Sequence, residues 1–146
     1  SIYRAVRCDK IRISILENIL RTYYSSKEAT DKNLTIQLFI RTPQNLNIIA
    51  KKILSKITSS IKQRYNIISA KSFVEAGSGS LPTEKMESVA LSFKPEKISI
   101  NKLYKIFISL ETPIIGYINN DTYFIDLKAV PDDQIKLLTK SINELD

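Results

Sequence analysis

The sequence predicts an α+β fold: a two-layer sandwich whose four-stranded, mostly antiparallel sheet carries helices on one face and is preceded by a long helix. Three observations support this class. Apolar residues recur at helical spacing in several long stretches, whereas short runs of alternating branched and aromatic residues indicate strands. Turn-forming residues lie between two of those runs. Hydrophobic residues make up 43% of the 146-residue chain and charged residues 25%, as in globular proteins.

The first predicted helix runs from Asp9 to about Tyr24. Its apolar residues recur every four positions, which predicts a stripe buried in the core. The stripe consists of Ile11, Ile15, Ile19 and Tyr23, broadened by Leu16 and Leu20. The polar residues Ser25–Asn33 predict a loop or linker, so we expect an internal boundary that separates residues 1–33 from a second domain, residues 34–146.

A short strand or extended segment is predicted for Leu34–Ile40, which is rich in branched residues. Thr42 and Pro43 then match the preferred N-cap and first position of a helix. This helix is expected to continue to about Tyr65. Its predicted buried face consists of Leu46, Ile49, Ile53, Ile57 and Ile61.

The second half of the chain alternates between strand and helix patterns. Strands are predicted for Asn66–Glu75 and Ser88–Lys94, followed by a helix that Ser99 caps and that extends to about Leu110. Residues 114–118 and 122–127 flank Asn119-Asn120-Asp121, which predicts a β-hairpin. A last helix begins near Pro131, because two acidic residues follow it, and docks through Ile135, Leu138, Ile142 and Leu145.

The glycine loop is the segment of residues 77–82, G-S-G-S-L-P. It holds two of the three glycines in the chain, and glycine marks backbone that takes positive φ or passes close to another group. One interpretation is a tight connection between two strands. The other is that the loop abuts a ligand or a neighbouring subunit. The residues concerned are Gly77, Ser78, Gly79 and Ser80.

A net charge of +7 permits an anionic partner such as RNA, although a solvated lysine surface is the favoured explanation. Arg4, Arg7 and Lys10 recur every three residues, which on a helical turn would place three cations on one face. Arginine binds oxyanions through two oxygens at once, so this face is a candidate anion site. The alternative is a solvated basic face, in which Asp9 or Glu17 pairs with these cations.

Missing residue types exclude several kinds of site. The chain has no histidine and one cysteine, Cys8, so histidine-based triads, metal sites built from histidine or cysteine clusters, and internal disulfides are excluded. There is no Walker loop and no G-x-G-x-x-G. No apolar run approaches the ~18 residues that a membrane span needs, and cysteine usage suggests a reducing cytoplasm. Because the chain opens on Ser1 without a signal pattern, we expect a fragment of a longer polypeptide.

Four segments, in order, resemble bacterial selenocysteine synthase, the L-seryl-tRNA(Sec) selenium transferase family. Residues 3–10, YRAVRCDK, are similar to the family's Y-R-A-L/F-R-x-D-K. The glycine loop resembles its G-G-G-S-L-P, followed by Glu84 and Ser88 where the family has E and S. Residues 113–116, PIIG, resemble P-V-I-G, and residues 126–128, DLK, resemble D-L-R.

The resemblance implies a cytoplasmic, homo-oligomeric enzyme of fold type I that depends on pyridoxal phosphate. Such an enzyme converts serine-charged tRNA(Sec) to selenocysteinyl-tRNA(Sec) with selenophosphate. The family's Schiff-base lysine lies in an S-G-D-K-L-L-G-G stretch that this sequence lacks, so the fragment alone is expected to be inactive and to hold no catalytic residue. Residues 1–33 would end the cofactor domain, and residues 34–146 would form the C-terminal small domain. By the resemblance, Arg4 and Arg7 bind the anionic donor or leaving group.

Three residues depart from the family pattern: Ser78 replaces the middle glycine, Tyr117 replaces an arginine, and Ala129 replaces a threonine. The first change would stiffen the loop, and the second raises the prospect of altered specificity or weak activity. The interpretation that the chain belongs to a related enzyme with another amino-acid or aminoacyl substrate therefore remains open. So does a free-standing basic α+β module that binds RNA or a protein partner. The family's principal tRNA-reading region is N-terminal and absent from this sequence.

Overall fold

The computed structural model describes residue 2 and residues 6–75 and 85–145. Contacts within the chain divide it into two compact units, Ser1–Ile40 and Arg41–Asp146. This division falls seven residues after the boundary expected from the polar stretch at 25–33. Within the described residues, no helix has the length and apolar character needed to cross a membrane.

Among its described residues from 6 onwards, the first unit contains the helices α1 (Lys10–Thr22), α2 (Ser26–Lys32) and α3 (Leu34–Phe39). The predicted first helix is confirmed, and Asp9 caps it by accepting a hydrogen bond from the Arg12 amide at 3.0 Å. The loop predicted at 25–33 and the strand predicted at 34–40 are both wrong, because each segment is helical.

Asn33 explains the helical conformation of the segment after it. Its Oδ1 accepts a hydrogen bond from the Ile36 amide at 3.2 Å, so that Asn33 caps α3. Its Nδ2 donates to the Tyr23 hydroxyl at 3.1 Å, which ties α3 to the end of α1. Strand propensity depends strongly on context, and here a side-chain cap outweighs the branched residues that follow it.

The apolar stripe of α1 is not buried, contrary to the core role predicted for it. Exposed fractions range from 47% at Ile19 to 73% at Ile11, and α1 contributes no buried residue. The other exposed members are Ile15, Leu16, Leu20 and Tyr23. Amphipathic spacing correctly predicted the helix but not a partner for its apolar face.

The second unit contains the sheet, with strands β1 (Ile68–Glu75), β2 (Lys85–Phe93), β3 (Tyr117–Asn119) and β4 (Thr122–Asp126). Their spatial order is β1-β2-β4-β3, and every neighbouring pair is antiparallel. The α+β class and the four-stranded sheet are therefore confirmed. The predicted hairpin between β3 and β4 is confirmed too, with Asn120 and Asp121 at φ values of 46° and 53°.

In the part of the second unit that the structure describes, the sheet is accompanied by α4 (Pro43–Lys56), α5 (Ser59–Arg64), α6 (Ile100–Ser109) and α7 (Ile135–Asn143). Two short 3₁₀ turns, Leu127–Ala129 and Asp132–Gln134, precede α7. The predicted N-caps are confirmed, because Thr42 accepts from the Asn45 amide and Ser99 from the Lys102 amide, each at 3.3 Å.

The single helix predicted from residue 43 to about 65 is interrupted at Ile57, which is extended. Asn143 of α7 stabilises this break. Its Oδ1 accepts from both the amide and the hydroxyl of Thr58 at 2.9 Å, and its Nδ2 donates to the Lys56 carbonyl at 3.0 Å. The break thus depends on a side chain 85 residues away, which local periodicity cannot predict.

The core lies between the helices and one face of the sheet. Every residue from Ser88 to Phe93 of β2 is buried, and Val89, Leu91 and Phe93 belong to this core. The Phe93 and Phe107 rings meet edge to face with centroids 5.2 Å apart. Phe107 also stacks on Tyr123 at 4.9 Å. The core residues predicted for α4, α5 and α7 are confirmed, except that Ile49 and Ile135 are only partly buried.

Candidate functional site

Arg7 lies in a non-helical stretch just before α1, and its side chain is exposed. Lys10 is the first residue of α1, so the spacing of three does not place Arg7 and Lys10 on one helical face. Arg4 lies outside the described residues. Asp9 pairs with Arg12 at 3.2 Å, not with Arg7. The anion-binding role of Arg4 and Arg7 stays a prediction.

The glycine-loop residues Gly77, Ser78, Gly79 and Ser80 also lie outside the described residues, so their predicted position beside a ligand or a subunit stays a prediction. The strands on either side are described. Glu75 at the end of β1 lies opposite Lys85 at the start of β2.

Two of the segments that carry the resemblance line one cavity of about 190 Å³, which we call the motif cavity. Pro113, Ile114 and Ile115 contribute from one segment, and Asp126 contributes from the other. Further walls come from Ala129, Val130 and residues of α7. The two segments are thus brought together in space by the antiparallel sheet.

Asp126 supplies the carboxylate of the motif cavity. Its Oδ1 accepts hydrogen bonds from the Ser88 hydroxyl at 2.6 Å and from the Lys128 amide at 2.9 Å. Its Oδ2 is buried and has no hydrogen-bond partner among the described residues. Buried carboxylate oxygens are normally paired, so Oδ2 has capacity to accept a hydrogen bond from an added donor.

Lys128 and Arg41 hold the DLK segment in place. The buried Lys128 ammonium donates to the carbonyls of Arg41 at 3.0 Å and Glu87 at 3.4 Å. The Arg41 guanidinium donates to the carbonyls of Leu127 and Val130 and to the Asp132 carboxylate, the last at 2.7 Å. These long-range bonds hold the backbone that directly follows Asp126.

Gly116 and Tyr123 fix the PIIG segment against β4. A Cβ atom on Gly116 would lie 2.2 Å from the Phe124 carbonyl oxygen and 2.7 Å from the Tyr123 ring, so a side chain cannot be accommodated without displacing backbone. The Tyr123 hydroxyl donates to the Ile114 carbonyl at 3.1 Å. Burial raises the pKa of Tyr123 from 10.0 to about 12.

Tyr117 stands where the family pattern has an arginine, and it makes two contacts on the sheet. Its ring stacks on Phe124 with centroids 5.2 Å apart. Its hydroxyl lies 2.9 Å from the Ser72 hydroxyl on β1. Tyr117 thus packs within this chain through both its aromatic ring and its hydroxyl.

Sequence reasoning did not assign a role to Ser88, Asp126 or Arg41. The family resemblance could have pointed to Ser88 and Asp126, because both lie at positions that match the family pattern. No pattern pointed to Arg41, whose partners lie 86 to 91 residues further along the chain.

Comparison with known proteins identifies the family. The family model for L-seryl-tRNA selenium transferase matches residues 1–131. The L-seryl-tRNA(Sec) selenium transferase of Desulfotalea psychrophila is 29% identical over 141 residues, which cover 97% of this chain and 30% of the relative. The Actinobacillus pleuropneumoniae protein of the same name is 35% identical over 127 residues, 86% of this chain and 28% of the relative.

A third relative, from Haemophilus influenzae, carries the same name and is 31% identical over 143 residues, 97% of this chain. The chain spans about 30% of the length of these relatives. The range matched by the family model extends into both structural units and spans the four segments on which the resemblance rests. The chain therefore belongs to the L-seryl-tRNA selenium transferase family.

Proposed function

We propose that this chain is the C-terminal part of a pyridoxal-phosphate-dependent enzyme that converts seryl-tRNA(Sec) to selenocysteinyl-tRNA(Sec) with selenophosphate. The observation that carries the proposal is the family match over residues 1–131. The geometry is consistent with it, because Asp126 and residues 113–115 of the PIIG segment line one cavity, and Ser88 donates a hydrogen bond to Asp126. Residues 1–33 would end the cofactor domain, and residues 34–146 would form the small domain.

The buried Lys128 is not available as a Schiff-base lysine, because its ammonium group is already hydrogen-bonded. A Schiff base needs a lysine whose amine is free to react with an aldehyde. The buried lysine of the described chain, Lys128, instead donates to the carbonyls of Arg41 and Glu87. We therefore assign the cofactor to the longer enzyme and expect the 146-residue chain alone to be inactive.

Within that enzyme, Arg4 and Arg7 are the residues proposed to bind selenophosphate or the phosphate that leaves it. Arg7 suits this role because it is exposed and forms no ion pair among the described residues. A guanidinium presents a planar pair of donors that matches two phosphate oxygens. Assembly into a homo-oligomer and a cytoplasmic location belong to the same proposal.

The experiment is a chimera in which this chain replaces the matched segment of the Haemophilus influenzae relative. Conversion of seryl-tRNA(Sec) with selenophosphate is measured for the chimera, the intact relative and the 146-residue chain alone. We expect conversion by the first two and none by the third. Cofactor absorbance shows whether the chimera has assembled. A chimera that binds pyridoxal phosphate but transfers no selenium would contradict the proposal.

A further inference from the structure

A groove between α4 and α7 is lined by four lysines, and we call it the lysine groove. Its volume is about 460 Å³. Lys52 and Lys56 lie four residues apart on α4, and Lys136 and Lys140 have the same spacing on α7. Residues at this spacing share one helical face, so each helix presents two ammonium groups to the same groove.

The positive charge of the lysine groove is largely uncompensated. Among the described residues, Lys52, Lys56 and Lys136 form no ion pair, and Lys140 has only an exposed contact with Glu144 at 3.6 Å. Asp132, the acidic residue of the groove lining, is already paired with Arg41 at 2.7 Å. Like charges gathered in this way repel unless an anion lies between them.

We propose that the lysine groove binds the phosphate backbone of the tRNA substrate, and this inference rests on the proposed function. Charge complementarity favours a polyanion, and the ammonium group of lysine is a common partner for phosphate. Backbone contacts of this kind position a nucleic acid without reading its sequence. The groove would thus orient the charged tRNA, in addition to the N-terminal tRNA-reading region that the family resemblance implies.

The test measures the affinity of the 146-residue chain for an unmodified tRNA(Sec) transcript at several salt concentrations. The groove variant carries K52Q, K56Q, K136Q and K140Q. The control carries K94Q, K97Q, K102Q and K105Q, four exposed lysines outside the groove. Both variants lower the net charge from +7 to +3, four charges fewer. All eight side chains are exposed, so we expect both variants to fold.

The wild-type chain should bind with an affinity that falls steeply as salt rises. The groove variant should bind at least about tenfold more weakly, with its log–log salt slope reduced by roughly three. The control should change both quantities much less. Equal losses in the two variants, unchanged binding by the groove variant, or no binding by the wild type would each overturn the proposal. So would stronger binding to polyglutamate than to tRNA, which would indicate an acidic protein partner.

The outcome is separable from that of the proposed function. If the chimera transfers no selenium but this chain binds tRNA through the groove, the proposed function fails and the groove assignment stands. If the chimera is active and the groove variant binds tRNA normally, only the groove assignment fails. In an active chimera, the groove substitutions should raise KM for seryl-tRNA several-fold and leave kcat nearly unchanged, because the lysines bind substrate and do not take part in the reaction.

Discussion

The Ser88 hydroxyl donates a 2.6 Å hydrogen bond to Asp126 Oδ1, joining two positions at which the chain matches its family. Ser88 lies on β2, and Asp126 ends the neighbouring strand β4. The Lys128 amide donates to the same oxygen at 2.9 Å. The motif cavity thus has a carboxylate whose orientation is set by one side chain and one backbone group.

Replacing Ser88 with alanine should destabilise the fold by about 2 kcal/mol, because Asp126 loses a buried hydrogen bond to a charged group. Urea unfolding of the 146-residue chain measures the effect. Ser92→Ala is the matched control on the same strand, since its hydroxyl makes only a 3.3 Å bond to the Ile68 carbonyl. Equal losses of stability in the two variants would show that the Ser88–Asp126 hydrogen bond stabilises the fold no more than the Ser92 bond does.

Gly116→Ala should cost at least about 2 kcal/mol, because the new Cβ would lie 2.2 Å from the Phe124 carbonyl oxygen. The backbone of β3 or β4 would have to move. Ile115→Ala, a truncation of the neighbouring side chain that is 82% exposed, should cost less than about 0.5 kcal/mol. Thermal unfolding of both variants checks the prediction, and a Gly116→Ala variant as stable as the wild type would refute it.

The raised pKa of Tyr123 predicts that the fold loses stability at alkaline pH. Its pKa is about 12 in the folded chain against 10.0 for an ordinary tyrosine, so the unfolded chain releases this proton first. The free energy of unfolding should therefore fall as pH rises from 10 towards 12, with about 2 kcal/mol from this group.

Tyr123→Phe removes the ionisable group and also the bond to the Ile114 carbonyl. The variant should be about 1 kcal/mol less stable than the wild type at pH 8. This difference in the free energy of unfolding should shrink or reverse by pH 11.5, because the wild type then loses the stability that the buried Tyr123 hydroxyl provides at lower pH. Parallel stability curves for the two proteins between pH 8 and pH 11.5 would contradict the assignment.

Asn143→Ala should destabilise the second unit by roughly 2 kcal/mol, because it removes the bonds to Thr58 and Lys56 that stabilise the break between α4 and α5. Asn101→Ala, at an exposed position in α6, provides the comparison and should have little effect. Chemical denaturation of both variants distinguishes them. Similar losses would mean that the helix break does not depend on Asn143.

Local signals predicted the helix starts well. Thr42 and Ser99 each accept a hydrogen bond from a backbone amide as predicted, because a cap depends on residues only a few positions away. The turn at Asn120 was equally local, since asparagine tolerates positive φ. The apolar residues of Ser88–Lys94 likewise predicted a strand, although every residue from Ser88 to Phe93 is buried.

Non-local interactions account for what the sequence did not reveal. The break at Ile57 depends on Asn143, and the position of the DLK segment depends on Arg41. The exposed stripe of α1 shows a further limit, because a periodic pattern indicates an apolar face but not what covers it. Two segments that carry the family resemblance, PIIG and DLK, contribute lining residues to the motif cavity, and the strand pairing explains why they lie close together.

Arg7→Ala in the chimera should lower kcat/KM for selenophosphate by about tenfold or more, if the guanidinium holds the anionic donor. Cofactor absorbance should stay unchanged, because Arg7 is not proposed to bind pyridoxal phosphate. Arg12→Ala is the matched control, since Arg12 is exposed and already paired with Asp9. Unaltered turnover by the Arg7 variant would end the assignment of this residue.

The most direct test of the account is the amount of selenocysteinyl-tRNA(Sec) that the chimera forms from seryl-tRNA(Sec) and selenophosphate. We predict formation at a rate within about tenfold of the intact Haemophilus influenzae relative, which is 31% identical to this chain over the exchanged segment. A chimera that assembles with its cofactor yet leaves the seryl-tRNA unchanged would contradict the account.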